Sequence, residues 1–184
     1  MNKLILIIFC FTILNTIAVT KPVIKNSKID KSKSTITYHM VHPMHNWDGV
    51  SKAVEGIVQY EEKSFILNKV AIVVKVSSFD SENSNRDSHM MEVTEAIKYP
   101  NVSFVSKSIK DDGTNLEING DINFHGITKA ILMKAQKKQI ANHITVTGEF
   151  PILIEDFKIE RPSLMMLKTD NEIGMKFLIE FDVN

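Results

Sequence analysis

The sequence predicts an all-β domain of about eight strands, closed into a barrel or a sandwich and interrupted by one short helix. Three observations carry this. From residue 34 onward the dominant hydrophobic period is two. One segment, Ser81 to Ile97, loses the alternation. The remainder holds too little helix to cover the apolar face of a sheet, so the sheet must close on itself.

The clearest strand is Ser34–His42, where Ile36, Tyr38, Met40 and His42 share one face against Thr35, Thr37 and His39. In Lys69–Ser78, Val70, Ile72, Val74 and Val76 oppose Lys69 and Lys75. Leu116, Ile118, Ile122 and Phe124 form a third stripe, and Ile144, Val146 and Phe150 a fourth. Ile173, Met175, Phe177, Ile179 and Phe181 form the last. Weaker strands fit near 50–60, 101–109 and 128–138. In the first of these Lys52 and Glu55 fall on opposite faces. Asp111-Asp112-Gly113 is a turn signal. Within Ser81–Ile97 the Asn and Ser residues suit a loop and a helix N-cap. A short helix follows over His89–Ile97, stopped at Lys98-Tyr99-Pro100 because proline disfavours helix in the residue before it. Glu155–Asp170 is a second irregular stretch, with Pro162 and the cluster Leu164-Met165-Met166-Leu167.

Residues 1–20 read as a secretory signal peptide: Lys3 as the positive region, an apolar run from Leu4 to Leu14, then small residues at Thr16, Ala18 and Thr20. The run is too short for a spanning helix. Cleavage after Ala18 or Thr20 removes Cys10, the single cysteine, and leaves an exported protein with no thiol and no disulfide. A periplasmic or secreted location follows. Residues 21–33 are expected as a mobile lead-in and 34–184 as the folded domain.

The 184 residues carry 22 basic and 22 acidic side chains, and a net charge of zero gives nucleic acid no electrostatic footprint. Catalytic signatures are missing from the sequence too: there is no G-x-S-x-G elbow, phosphate loop, H-E-x-x-H or dinucleotide fingerprint. No enzymatic activity, catalytic residue or resident cofactor is expected.

Several spaced segments, in order, resemble the YceI family of exported lipid-binding proteins. They are Ile29-Asp30 with Ser34-Thr35-Ile36-Thr37-Tyr38 and His42; Ser78-Phe79-Asp80-Ser81 with Asn83 and Arg86-Asp87-Ser88-His89; and Lys98-Tyr99-Pro100-Asn101-Val102-Ser103-Phe104. Asn119-Gly120-Asp121 with Gly126-Ile127-Thr128-Lys129, and Asp156-Phe157 before the last strand, complete the set. The resemblance implies an eight-stranded antiparallel lipocalin-like β-barrel with a short helix at about 82–98. It also implies an elongated cavity for a polyisoprenoid, an isoprenoid quinone or a similar amphiphile. Transient membrane contact and a homodimer are compatible with it. Lys33, Ser81 and the short segment after His89 depart from the family pattern and bear on ligand identity more than on fold.

Strand parity turns Ile36, Tyr38, Met40, Val74, Val102, Phe104, Phe124, Val146, Met175 and Phe177 inward. Eight strands permit either a side-chain-filled core or a bore for one slim ligand, and the residues alone leave both open. The first makes the protein a non-catalytic structural or stress-related interaction module, the second a carrier; the resemblance favours the carrier.

His39, His42 and His45 look metal-like, but parity separates His39 from His42 and Pro43 ends the strand before His45, so no metal site is expected. His42 either meets a ligand head group with Trp47 as an apolar wall, or is held by backbone, the simpler reading. Arg86 in a loop either grips an anion or, with Asp87 capping the helix, is structural; the structural reading is preferred. His125 and His143 are expected to be exposed. Met165-Met166 is either a lid over a barrel end or a satellite apolar cluster.

Overall fold

The computed structural model describes residues 21–184; the expected signal segment and Cys10 lie outside them. The strands are β1 (Ile24–Lys28), β2 (Thr35–His42), β3 (His45–Ser51), β4 (Glu55–Glu61), β5 (Leu67–Lys75) and β6 (Phe79–Asp80). After helix α1 (Ser84–Val93) come β7 (Asn101–Asp111), β8 (Asn115–Phe124), β9 (Ile127–Ile140) and β10 (His143–Leu153). A small hairpin, β11 (Ser163–Leu164) and β12 (Leu167–Lys168), precedes the last strand, β13 (Glu172–Asp182).

The main sheet runs β1-β4-β5-β7-β8-β9-β10-β13-β2-β3-β6, antiparallel at every pairing that has a register. β3 and β4 sit near opposite ends of this order yet are joined by residues 52–54. They are two halves of one kinked strand, and that kink closes the sheet into a barrel. Counted so, the long strands are the eight that were expected. The ambiguous stretch 50–60 is the kink itself. Ser51, wholly buried, shares a hydrogen bond of 2.7 Å with the Ser78 hydroxyl and accepts the Ala53 N–H, while Val54, also wholly buried, fills the space beneath. The facing that a straight strand would keep is therefore lost between Ser51 and Glu55.

The lead-in is not loose. Ile24–Lys28 adds a strand to β4, Lys28 opposite Ile57 and Ile24 opposite Glu61. The turn after it is tied to β13, because Asp30 N donates to the Glu180 carbonyl at 2.7 Å and Glu180 N donates to the Ser34 hydroxyl at 2.9 Å. The helix begins and ends earlier than the His89–Ile97 read from the residues, and it lies within the 82–98 that the resemblance implies. Asn83 caps it, its side chain accepting the Arg86 N–H at 3.1 Å, so Arg86 stands in the first helical turn rather than in a loop and Asp87 is not the cap.

Antiparallel connectivity sorts the connections between two ends of the barrel. At one end, the floor, lie the β4–β5, β7–β8 and β9–β10 turns and the C-terminus. Lys137 points inward from β9 and meets Asp111 from β7, their side chains 2% and 0% exposed. The ammonium also donates to the Phe65 carbonyl at 3.2 Å, and Asp111 accepts the Leu67 N–H at 2.9 Å. Tyr60, 1% exposed, accepts the Asn184 N–H beside them, and Phe181, Ile144 and Val183 pack the same cluster. The other end, the mouth, carries the β2–β3 turn, α1 with its flanks, the β8–β9 turn and residues 154–171.

Two cores follow this division. One, towards the floor, gathers Val58, Tyr60, Leu67, Ile118, Met133, Ile144 and Phe181. The other, towards the mouth, gathers Tyr38, Met40, Val76, Ile122, Phe124, Ile152 and Phe157, with Met90, Met91 and Val93 of α1 against it.

His143, expected to be exposed, is only partly so. It joins β10 to β13 by facing Asp182 at 2.7 Å and Glu180 at 3.1 Å. The Asp182 hydrogen bond foremost, then the Glu180 contacts, hold its imidazole above the ordinary histidine pKa. A raised pKa means the charged form favours the fold. That contribution is complete below the unfolded value, about 6.5, and is lost as pH climbs through the folded value. Thermal melts across a pH series should show wild type exceeding His143→Gln on the acidic side, with the margin shrinking on the alkaline side. A margin that grows with pH contradicts the assignment.

Candidate functional site

The interior between the two cores contains a cavity of about 530 Å³, running from His45 and Trp47 at the mouth to Leu116 and Phe181 near the floor. Its size lies within the range of small-molecule sites, about 300–1,000 Å³. All the residues assigned inward by parity line it: Ile36, Tyr38, Met40, Val74, Val102, Phe104, Phe124, Val146, Met175 and Phe177. His42 and Trp47 line it as well.

Glycines explain how aromatic residues can line the bore without filling it. A Cβ on Gly148 would stand 2.5 Å from the Phe177 ring, its direct partner across β10 and β13. A Cβ on Gly120 would stand equally close to the Phe104 ring. Each ring lies across the bare backbone of the neighbouring strand, so it contributes an apolar wall while taking little of the bore. Tyr38 lies over Gly49 in the same way. Burial foremost holds the Tyr38 phenol above its ordinary pKa, so it remains a neutral hydroxyl.

Polar groups gather at the mouth. His42 is 4% exposed, and both its ring nitrogens are engaged. Nδ1 accepts the Met44 N–H at 3.2 Å, which leaves Nε2 protonated to donate to the Leu167 carbonyl at 3.0 Å. This is the backbone-bonded histidine of the simpler reading, tying the β2–β3 turn to the β11–β12 hairpin. His39, on the opposite face, binds Asp48 at 2.6 Å. His45 opens β3 directly after a two-residue turn, its ring 5.7 Å from that of His42 and 5.2 Å from Trp47. Among the described residues no group of three His, Cys, Asp or Glu side chains is arranged to hold a metal ion.

Arg86 reaches back to Ser81, donating from Nε to the hydroxyl at 2.9 Å and from Nη2 to the carbonyl at 2.6 Å. Asp87 accepts the Ser81 N–H at 3.1 Å. The guanidinium also lies 5.0 Å from the centre of the Trp47 ring, a cation–π arrangement at the edge of the cavity. The pair is thus structural, and Arg86 still borders the bore. His89 borders it too, half-exposed, 3.5 Å from Glu92.

His125 departs from its expected exposure. Its side chain is 12% exposed, and it bonds the Phe157 carbonyl at 2.8 Å and Glu95 at 2.9 Å while meeting the Tyr99 ring edge-on. The cause is backbone: His125 and Gly126 both have positive φ in the turn joining β8 to β9, so strand parity does not apply.

The sequence does not reveal the lining supplied by α1: Asn85 precedes the helix expected at His89–Ile97, and Met90 and Val93 fall where no strand parity assigns an inner face. Thr169 was missed as well. It is 1% exposed, it lines the cavity, and its hydroxyl finds no hydrogen-bond partner among the described residues.

Fold and cavity together define a lipocalin-like barrel with an internal apolar bore. Residues 28–183 match the YceI-like domain family, and the chain belongs to it. A curated relative, Protein YceI of Escherichia coli O17:K52:H18, is 31% identical over 114 residues, 59% of this chain and 60% of the relative. Protein YceI of Salmonella newport is 29% identical over the same length. The matched region thus spans about three-fifths of these relatives. Among solved structures, BcnA of Burkholderia cenocepacia superposes with a TM-score of 0.74 at 18% identity, covering 83% of this chain and 98% of that one. A polyisoprenoid binding domain from Saccharophagus degradans, implicated in plant cell wall breakdown, gives 0.71 at 13% identity, covering 86% and 98%. At these identities the likeness establishes the barrel fold.

Proposed function

We propose that the protein is an exported, non-enzymatic carrier of one long-chain amphiphile of isoprenoid type, such as an isoprenoid quinone or a polyprenyl phosphate. The observation that carries the reading is the continuous apolar cavity of about 530 Å³. Burying a methylene is worth about 0.8 kcal/mol, so ten of them supply about 8 kcal/mol before ordering costs. The hydrocarbon lies in the bore with its far end towards the floor. The head sits at the mouth, where the Thr169 hydroxyl and Arg86 offer the polar contacts. Bonds need not be made or broken; the work is to shield the chain from water and release it elsewhere. Family membership and a structural relative described as a polyisoprenoid binding domain support the ligand class. The signal-like sequence of residues 1–20 supports export.

Native mass spectrometry of protein purified from its own host tests this directly. The expected spectrum shows a processed N-terminus and close to one long-chain amphiphile per barrel, recoverable by organic extraction. It also counts subunits, which decides between monomer and homodimer. Repeated preparations holding only trace lipid would sink the carrier and return the protein to the class of structural interaction modules.

A further inference from the structure

We propose that the mouth of the barrel docks on a lipid bilayer, with the Met165–Met166 tip of the β11–β12 hairpin inserted among the lipids. The three most exposed large apolar side chains among the described residues are Ile97 at 99%, Met166 at 98% and Met165 at 72%. All three lie on connections at the mouth: Ile97 between α1 and β7, the methionines at the hairpin tip. Met44 in the β2–β3 turn is 56% exposed at the same end. It adjoins the hairpin, since His42 at the end of β2, just before that turn, bonds the Leu167 carbonyl at 3.0 Å.

The hairpin turn is doubly unfavourable in water. Met165 and Met166 have φ of 51° and 66°, the left-handed region at both central positions, where Asn-Gly is the usual solution. The chain instead places two large apolar side chains there and leaves them uncovered. Strain and exposure together at one point indicate a surface with a task. Leu164, next to the tip, is itself 47% exposed and lines the cavity, so the apolar tip and the bore are continuous. A bilayer is the occupant this continuity selects. The inference rests on the carrier reading: its ligand is a water-insoluble lipid whose source is a membrane, and a mouth set on the surface lets the chain pass without crossing water. Methionine side chains are flexible and polarisable, suited to a fluid partner rather than a shaped pocket.

The test compares wild type with the double variant M165N/M166G in flotation with vesicles of phosphatidylethanolamine and phosphatidylglycerol. Asn-Gly suits this turn, so the variant should melt no lower than wild type. Its partition into vesicles should fall at least about fivefold. Ile97→Ser should weaken partition independently. Trp47, the single tryptophan, stands in the mouth and should be quenched by brominated lipids in wild type and not in the double variant. Equal partition of variant and wild type overturns the proposal, as does self-association through the hairpin in place of vesicle binding. Protein that carries stoichiometric lipid yet ignores vesicles sinks the docking and spares the carrier. Protein that docks through the hairpin yet never holds lipid sinks the carrier and spares the docking.

Discussion

Replacing Val146 with tryptophan should leave a folded barrel that has lost at least about tenfold of its bound lipid. Val146 is 5% exposed, faces inward from β10 opposite Lys137 of β9, and lines the cavity towards its floor. In a solid core the added indole would overpack the site, with a cost of about 1–3 kcal/mol or more. Here it has empty volume to enter, so the melting temperature should change little. The ligand bears the loss instead. Shortening the accessible bore by two methylenes forfeits about 1.6 kcal/mol, already more than a factor of ten in affinity. The control is Leu132→Trp on the outer face of neighbouring β9, where the side chain is 59% exposed and lipid content should not move. Extraction and native mass spectrometry read the lipid, and thermal melting reads the fold. A Val146→Trp protein that unfolds outright would mean the interior is packed solid. One that keeps its lipid would place the chain somewhere other than the bore.

Lys137→Met should be the most destabilising single change at the floor, costing about 3–5 kcal/mol in urea unfolding. The mutation leaves the Asp111 side chain, 0% exposed, without its cation, with the Leu67 and Gly113 N–H groups as its remaining partners. It also frees the Phe65 carbonyl, so the β4–β5 turn loses its tie to β9. The reasoning makes a second demand. Lys137→Met combined with Asp111→Leu removes the stranded charge and should recover much of the loss, though not all, because the Leu67 N–H then lacks its acceptor. Additive losses in the double variant would show that the two side chains act independently.

The parts of the site written by strand periodicity were legible. Ile36, Tyr38, Met40 and His42 alternate on one strand, and an alternating strand has only two faces, so one correct choice fixes all of them. The same holds for Met175 and Phe177, and for Val102 and Phe104. What escaped lies where periodicity stops applying. The kink after Ser51 breaks the facing of 50–60. His125 leaves the strand pattern through a positive φ. The helix start was set by Asn83, one of several Asn and Ser residues in a row that could each have served as the cap. Lys137 does carry a signal: it follows Ile131, Met133 and Ala135 on the same inner face, and a lysine in such a stripe points to a buried partner. β1 was hidden because Ile24 to Lys28 carries mostly polar residues, as an added outer strand can when it buries little. The glycines beneath the Phe104 and Phe177 rings have no signature on their own strands, since the ring they accommodate belongs to the neighbour.

On the carrier reading proposed above, the blocked floor makes the barrel a gauge for hydrocarbon length. For ligands sharing one head, each further carbon is sheltered until the tail reaches the packed floor at Leu116 and Phe181, and any carbon beyond that must fold back or push the head outward into water. Affinity plotted against tail length should therefore climb in even steps and then level off, and the carbon number at the bend measures the depth of the bore. A sleeve open at both ends would have no such bend, so for the proposed carrier the sealed end predicts selection by size using no polar contact at all.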